Sequence, residues 1–191
     1  MRNYNHNNPI TRRSIFIGIA ASLICVPAKS NATRTEGAVD ALRPGEPPLG
    51  SLSTEEERWL ATAFIHLNRI YENRAAGRPG NNALWVFDLG NVYVQFLAPW
   101  NLGLLVCEAV SGKSVPEITA ILTTEGDATL RRLGFEGPEI SPNYSQTIKI
   151  KDVDDLAYAA RLGFRVLKQV YRVTDFDSGK FMVKIPSHAS S

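Results

Sequence analysis

Few side chains in this chain of 191 residues have the type and spacing that acid–base chemistry or metal binding requires. Histidine is the usual proton carrier near neutral pH, and beyond residue 32 the sequence offers only His66 and His188. His66 falls at helical spacing among apolar residues, which predicts a structural role, and His188 lies close to the C-terminus. Neither has a cysteine or histidine partner at zinc-ligand spacing. We therefore expect no metal site and no cofactor.

Candidate nucleophiles and phosphate or calcium loops are equally scarce. Cys107 lies in the middle of an apolar, strand-like run, which predicts a buried and unreactive thiol. The Gly-Lys-Ser stretch at 112–114 resembles part of a phosphate loop, but Cys107 stands where that motif needs its first glycine. Residues 175–179 resemble the start of a calcium loop, but Pro186 stands where the bidentate glutamate belongs, so a turn is predicted. The sequence assigns no catalytic residue.

Acidic residues cluster at 55–57 and at 152–155, and both clusters open predicted helices. Negative side chains stabilise the first turn of a helix, so capping and the helix dipole explain their positions. Nothing in the sequence selects a catalytic pair of carboxylates. A small carboxylate-based enzyme remains as an alternative function.

The first half of the folded region is predicted to contain one helix and an antiparallel meander. Ser53 and Glu56 have the spacing of a capping box, and apolar residues then repeat at helical spacing, which predicts a helix over 53–75. Three runs rich in Val, Phe, Tyr and Trp follow, separated by turn residues. These predicted strands are 84–89, 91–97 and 102–110. Such a sheet needs a helix on its apolar face.

The second half alternates helices and strands. We predict a helix over 124–133 that stops at Gly134, a fourth strand over 145–150, and a last helix capped by Asp152. The run 181–185 fits either a fifth strand or a cover for a sheet edge. The sequence thus predicts an α+β fold with an antiparallel sheet of four to five strands, packed with helices in the order α-β-β-β-α-β-α.

The first 32 residues have the layout of a signal peptide. Arg12 and Arg13 precede an apolar run over 15–26, an arrangement that resembles the twin-arginine export consensus. The run is shorter than the roughly 20 residues that a spanning helix needs, so we expect no permanent membrane span. Export to the periplasm or the exterior of a bacterial cell is predicted. The chain is divided into a signal peptide (1–32), a linker (33–52), an α+β domain (53–174) and a C-terminal tail (175–191).

The charge balance excludes one class of partner. Four of the 21 basic residues and none of the 19 acidic ones lie in the first 32 residues, so the remainder carries 17 basic and 19 acidic residues. Nucleic-acid binding requires a clustered basic face, and this composition offers none. We therefore expect a peptide or protein partner and no nucleic acid.

Short motifs follow one another in the order of the predicted elements. They are Tyr-Val-Gln-Phe at 93–96, Glu-Ala-Val-Ser at 108–111, Leu-x-x-Leu-Gly-Phe at 130–135, Pro-Asn-Tyr at 142–144 and a last helix ending in Val-Tyr at 170–171. In this order they resemble the TY-Chap family, the peptide-binding chaperone domains grouped with type III secretion chaperones of the CesT kind and with YbjN. The resemblance covers 53–171. It implies an antiparallel α+β fold, often a homodimer, that holds a peptide segment.

The resemblance also implies which side chains shape the sheet or its peptide groove. They lie on the sheet and on the approach to its fourth strand: Tyr93, Gln95, Glu108, Asn143 and Tyr144. Trp100, at the tip of a predicted hairpin, is added because it is the aromatic side chain that we expect to be exposed.

The leading functional hypothesis is an exported, non-enzymatic module that binds a peptide or protein along the sheet or beside the last helix. An accessory subunit of an envelope complex is a further alternative. Related domains are mostly intracellular, so the export signal argues against a cytosolic secretion chaperone.

Overall fold

The computed structural model describes residues 42–76, 82–100, 102–139 and 141–186. The predicted signal peptide with Arg12 and Arg13, the first part of the linker, and His188 lie outside these described residues. Within them, no helix is long and apolar enough to cross a membrane.

The first helix, α1 (Thr54–Glu72), begins with the predicted capping box. The Glu56 amide donates to the Ser53 hydroxyl over 3.2 Å, and the Ser53 amide donates to the Glu56 carboxylate over 2.9 Å. These bonds satisfy amides that the first turn of a helix leaves without partners. One side of α1 is buried, through Trp59, Leu60, Ala63, Phe64, Leu67 and Ile70.

Three consecutive strands form the predicted antiparallel meander. They are β1 (Ala83–Asp88), β2 (Tyr93–Ala98) and β3 (Leu104–Ala109). In β2 and β3, buried residues alternate with half-buried ones, as expected for strands with one face in the core. Gly90, at φ 88°, supplies the left-handed backbone of the turn between β1 and β2.

Helix α2 (Thr124–Arg132) follows a short 3₁₀ helix at Pro116–Ala120. Its predicted stop at Gly134 is confirmed by a φ of 90°. The Phe135 amide donates to the Leu130 carbonyl over 3.0 Å, which is the bond of a glycine-terminated helix end. Phe135 and Leu130 are both buried, so the chain folds back onto the core there.

Strand β4 (Tyr144–Lys149) pairs antiparallel with β3 and leads into α3 (Val153–Arg165). Asp152 caps α3 as predicted, since its carboxylate accepts from the Asp154 and Asp155 amides over 3.1 and 3.2 Å. The chain then continues as one π-helical turn, Val166–Val170.

The last strand, β5 (Lys180–Lys184), pairs antiparallel with β1. The sheet therefore has five strands in the order β4-β3-β2-β1-β5, and the predicted α+β class is confirmed. The run 181–185 supplies a strand, and the predicted domain boundary at residue 174 leaves that strand outside the domain to which it contributes. The meander has no open edge, because β1 pairs with β5 and β3 pairs with β4. Among the described strands, β4 and β5 are the edge strands, and the outer edge of β4 is bridged to Glu136 at Ser145.

The core lies between α1, α3 and one face of the sheet. Trp59 is at its centre, with its ring 5.3 Å from that of Phe87 and 5.9 Å from that of Phe164. A Cβ on Gly163 would lie 3.2 Å from the Phe96 ring, so the glycine permits close approach of α3 to the sheet. Cys107 is fully buried here, and burial raises the pKa of its thiol, which agrees with the predicted unreactive role.

Candidate functional site

The second face of the sheet points away from α1 and α3, and the strand register determines which side chains share it. Leu97 on β2 lies beside Val106 on β3, and Gln95 lies beside Glu108. Its apolar side chains are mostly half-buried or exposed. We call this surface the open face; by register its side chains are those of Leu84, Val86, Asp88, Tyr93, Gln95, Leu97, Leu104, Val106, Glu108, Ser145, Thr147, Lys149, Lys180, Met182 and Lys184.

Four predicted site residues meet at one end of the open face. Gln95 Nε2 donates to Glu108 Oε2 over 2.5 Å, and Asn143 Nδ2 donates to the same oxygen over 3.2 Å. The Tyr93 hydroxyl lies 3.0 Å from Asn143 Nδ2 and 3.2 Å from Asn143 Oδ1. We call Tyr93, Gln95, Glu108 and Asn143 the polar cluster.

Asn143 reaches the polar cluster from the loop before β4, and two hydroxyl groups hold that loop. Ser114 Oγ donates to Asn143 Oδ1 over 2.6 Å, and Ser111 Oγ donates to the Pro142 carbonyl. Asn143 is only 7% exposed, so these bonds offset the cost of burying its amide. Ser111 and Ser114 were missed in the sequence. The Ser-Gly-Lys-Ser sequence of the turn could have indicated them, because serine hydroxyl groups in turns commonly form hydrogen bonds with nearby backbone groups.

Glu108 is a half-buried carboxylate that accepts hydrogen bonds from the neutral amides of Gln95 and Asn143. Within that part of the chain, no lysine or arginine forms an ion pair with it. A charge-assisted hydrogen bond from a ligand cation or N–H group is stronger than one between neutral groups. The open face thus combines apolar surface with the negative acceptor Glu108. Further charged side chains, those of Asp88, Lys149, Lys180 and Lys184, lie toward its margins.

Tyr144 does not belong to the polar cluster. It is 5% exposed and faces the helix side of the sheet, where its hydroxyl donates to Asp127 Oδ1 on α2 over 2.5 Å. Burial and the hydrogen bond to Asp127 raise the pKa of Tyr144 to about 12. Tyr144 therefore connects α2 to β4 and does not reach a ligand on the open face.

Trp100 lies in the turn after β2, at the opposite end of that strand from Tyr93. It is 38% exposed, as expected for the tip of a hairpin, and its amide donates to Asn82 Oδ1 over 3.3 Å. Trp100 and the polar cluster consequently do not form one site.

Other residues of chemical interest have structural surroundings. His66 is half-buried, and burial, with the nearby positive charge of Arg69, lowers its pKa. Asp175 Oδ1 accepts from the Asp177 and Ser178 amides over 3.0 and 3.1 Å, which is a turn as predicted. In the described ranges, no group of three or more His, Cys, Asp or Glu side chains is placed to hold a metal ion.

Comparison with known families gives one match. Residues 78–178 match the family model TY-Chap3, described as T3SS (YopN, CesT) and YbjN peptide-binding chaperone 3. The matched range is more than half of the chain. The chain belongs to the TY-Chap3 family. The resemblance predicted from the sequence motifs is thereby confirmed. No curated protein and no solved structure matches the chain.

The TY-Chap3 match includes the meander, α2, β4 and α3, and leaves α1 and β5 outside. Every predicted peptide-contact residue lies within it. Membership of TY-Chap3 supports a chaperone-like module that binds peptides.

Proposed function

We propose that this TY-Chap3 protein is an exported, non-enzymatic module that holds a peptide segment on the open face. The observation that carries the proposal is that the polar cluster and the apolar residues Leu84, Leu97 and Val106 share one side of the sheet. Four residues selected from the sequence for peptide contact meet there, whereas the other side of the sheet is filled by the core.

The two parts of the open face have different roles in this proposal. Apolar peptide side chains covering Leu97 and Val106 supply affinity, at roughly 25 cal/mol for each Å² removed from water. Polar groups in a mainly apolar site determine orientation. Glu108 accepts hydrogen bonds from a lysine, an arginine or a free amine of the peptide, and we expect such a group near the apolar residues of the ligand.

A binding role without catalysis is supported by the positions of the acidic side chains. Glu56 and Asp152 cap helices, and Asp127 accepts from Tyr144. Export through the twin-arginine route is proposed from Arg12 and Arg13 alone. Replacing both arginines by lysine keeps the charge and is expected to stop export; delivery of the Lys–Lys variant to the periplasm at the normal rate contradicts this route.

The binding proposal is tested with a peptide array, followed by titration of the best peptide into three proteins. The first is the unmodified protein, the second is Val106→Lys, and the third is Ile65→Lys. Val106 is half-buried at the centre of the open face, whereas Ile65 is 54% exposed on α1, on the other side of the sheet. Both variants add the same charge, so a difference in their peptide affinities reflects where the charge lies and not the charge itself.

Val106→Lys is expected to weaken binding at least about tenfold, since a charge in an apolar contact must be desolvated. Ile65→Lys is expected to bind as the unmodified protein does. Equal affinities for the three proteins, or a folded protein that binds no peptide from the array, would remove the open face as the site.

A further inference from the structure

Residues 43–49, which precede α1, lie across α3 in an irregular conformation; we call them the strap. Arg43-Pro44-Gly45-Glu46 forms a tight turn, in which the Glu46 amide donates to the Arg43 carbonyl over 2.9 Å. Pro44 and Gly45 are the two central residues of this turn, and Gly45 has a φ of 81°, as the third position of a type II turn requires. The turn directs the side chains of Arg43 and Glu46 toward the same helix.

The Glu46 carboxylate lies in a pocket formed by two arginines of α3. Arg161 donates to both carboxylate oxygens, with Nε–Oε1 and Nη2–Oε2 distances of 2.8 Å each, and Arg165 Nη1 lies 2.6 Å from Oε1. Arg165 Nη2 also donates to the Pro47 carbonyl. The Glu46 side chain is only 3% exposed. Burial raises the pKa of Glu46, but hydrogen bonds from Arg161 and Arg165 outweigh it and lower the pKa to about 2.

Arg43, at the start of the strap, contacts two more residues of α3. The Arg43 guanidinium carbon lies 3.9 Å above the centre of the Tyr158 ring, and the same guanidinium pairs with Asp155. Asp155, Tyr158, Arg161 and Arg165 are three, three and four positions apart, so they form one stripe along the helix. This stripe binds the irregular strap through the side-chain charges of Arg43 and Glu46 and through the backbone carbonyl of Pro47.

We propose that this stripe of α3 is a second peptide site, selective for a segment that carries a carboxylate, and that the strap occupies it in cis. An acidic segment of a partner protein binds there by displacing the strap. The site is separate from the open face, which lies on the other side of the sheet. The strap also lies outside the range that matches TY-Chap3.

Two observations favour exchange of the strap. It has no regular secondary structure, and positive-φ glycines, Gly45 at φ 81° and Gly50 at φ 80°, lie within it and at its end. A surface groove also runs beside it, between Arg43 and Pro44 on one side and the outer residues of β4, 146–149, on the other. An incoming segment therefore has access to the strap and to the start of the stripe.

The charge of the pocket determines which segment can replace the strap. Loss of Glu46 without a substitute leaves the buried charge of Arg165 without its acidic partner, which is strongly unfavourable. A neutral peptide cannot compensate for that loss, whereas a peptide carboxylate restores the bidentate geometry that arginine favours. Selectivity for an acidic residue thus follows from the pocket itself.

The test uses the full chain and a synthetic probe with the sequence of residues 42–49, acetylated and amidated. A control probe has glutamine in place of its glutamate. Both are titrated into the unmodified protein, into Glu46→Ala, which empties the pocket, and into Arg43→Ala, which loosens the strap but keeps the buried ion pairs. Binding and the probe-induced rise in melting temperature are both recorded.

The glutamate probe is expected to bind Glu46→Ala at least about tenfold more tightly than it binds the unmodified protein, and to raise the melting temperature of that variant. Arg43→Ala is expected to bind it several-fold more tightly than the unmodified protein does. The glutamine probe is expected to show neither effect. If the two probes bind alike, or if Arg43→Ala and any folded Glu46→Ala bind the glutamate probe no better than the unmodified protein, the strap is a fixed part of the fold. Val106→Lys leaves probe binding unchanged, so the two sites are tested independently.

Discussion

Gln95 and Glu108 face each other across the β2–β3 pair, and the amide nitrogen of Gln95 lies 2.5 Å from a carboxylate oxygen of Glu108. The pair lies on the open face, next to half-buried apolar side chains. Because Asn143 donates to the same oxygen, the carboxylate is held in place by neutral donors, and no described lysine or arginine forms an ion pair with it.

Glu108→Gln is expected to keep the fold, because its amide oxygen can still accept from Gln95 and Asn143. The variant loses the charge, so its affinity for peptides with lysine or arginine is expected to fall about tenfold, with less effect on neutral peptides. Titration of matched basic and neutral peptides at two salt concentrations measures this. Glu117→Gln, at an exposed position on the 3₁₀ helix, is the control. An equal loss for both peptides contradicts the role of the charge.

Tyr144→Phe removes the hydrogen bond to Asp127 between β4 and α2. A hydrogen bond to a charged partner contributes about 1.5–3 kcal/mol, so we expect the free energy of unfolding in urea to fall by about that amount. Peptide affinity is expected to stay within about twofold of the unmodified protein. A large loss of affinity at unchanged stability would instead place Tyr144 in the peptide site.

The outer edge of β4, beyond its bridge to Glu136, gives a test that separates binding on the face from strand addition. Ser145 exchanges backbone hydrogen bonds with Glu136, over 3.1 and 2.8 Å, so the amides of Ser145 and, by alternation, Thr147 point away from β3. Proline is tolerated where the amide faces outward on an edge strand. We expect Thr147→Pro to stay folded and to bind peptide within about twofold of the unmodified protein.

Ile148→Pro is the matched control, because the amide of Ile148 points toward β3 and its loss breaks the ladder. This variant is expected to be strongly destabilised in urea. Because the Thr147 side chain also lies on the open face, Thr147→Ala is the reference variant. A tenfold loss of peptide affinity in a folded Thr147→Pro variant, with Thr147→Ala unaffected, would show that the peptide adds a strand to β4.

Glu46 predicts a specific dependence of stability on pH. Its pKa is about 2 in the folded protein and near 4.5 as its ordinary value, so the stability that its charge provides is complete above about 4.5. That stability is lost as the pH falls through about 2. At pH 6, Glu46→Gln is expected to cost on the order of 3–5 kcal/mol because it breaks a buried ion cluster. The difference between the two proteins narrows as the pH falls from 4.5 toward 2 in urea unfolding, and a constant difference contradicts the assignment.

Local signals predicted much of the fold. The capping box at Ser53, the Asp152 cap and the Gly134 stop each depend on residues within a few positions of one another, and all are present. The order of β1, β2 and β3 also followed from the short turns between them. Of the six peptide-contact residues, Tyr93, Gln95 and Glu108 came together because strand alternation placed them on the same side, and Asn143 joins them from the loop before β4.

Long-range relationships could not be predicted in the same way. The inward direction of Tyr144 depends on its register with Ala109, and the predicted fourth strand began one residue later. Glu46 lies in a stretch rich in proline and glycine, which was assigned to the linker, yet it pairs with Arg161, 115 positions away. No periodicity signals a contact between an irregular segment and a helix at that separation.

Binding of peptide on the open face is tested most directly by methyl NMR. The isotope-labelled protein is titrated with the peptide that binds best on the array. We expect chemical-shift changes at the methyl groups of Leu84, Leu97 and Val106 that saturate together with binding. We expect no changes at Leu60 and Leu67, which lie on α1 and are buried on the other side of the sheet. Changes confined to α1 and α3, with the open-face methyl groups unaffected at saturation, would contradict the account.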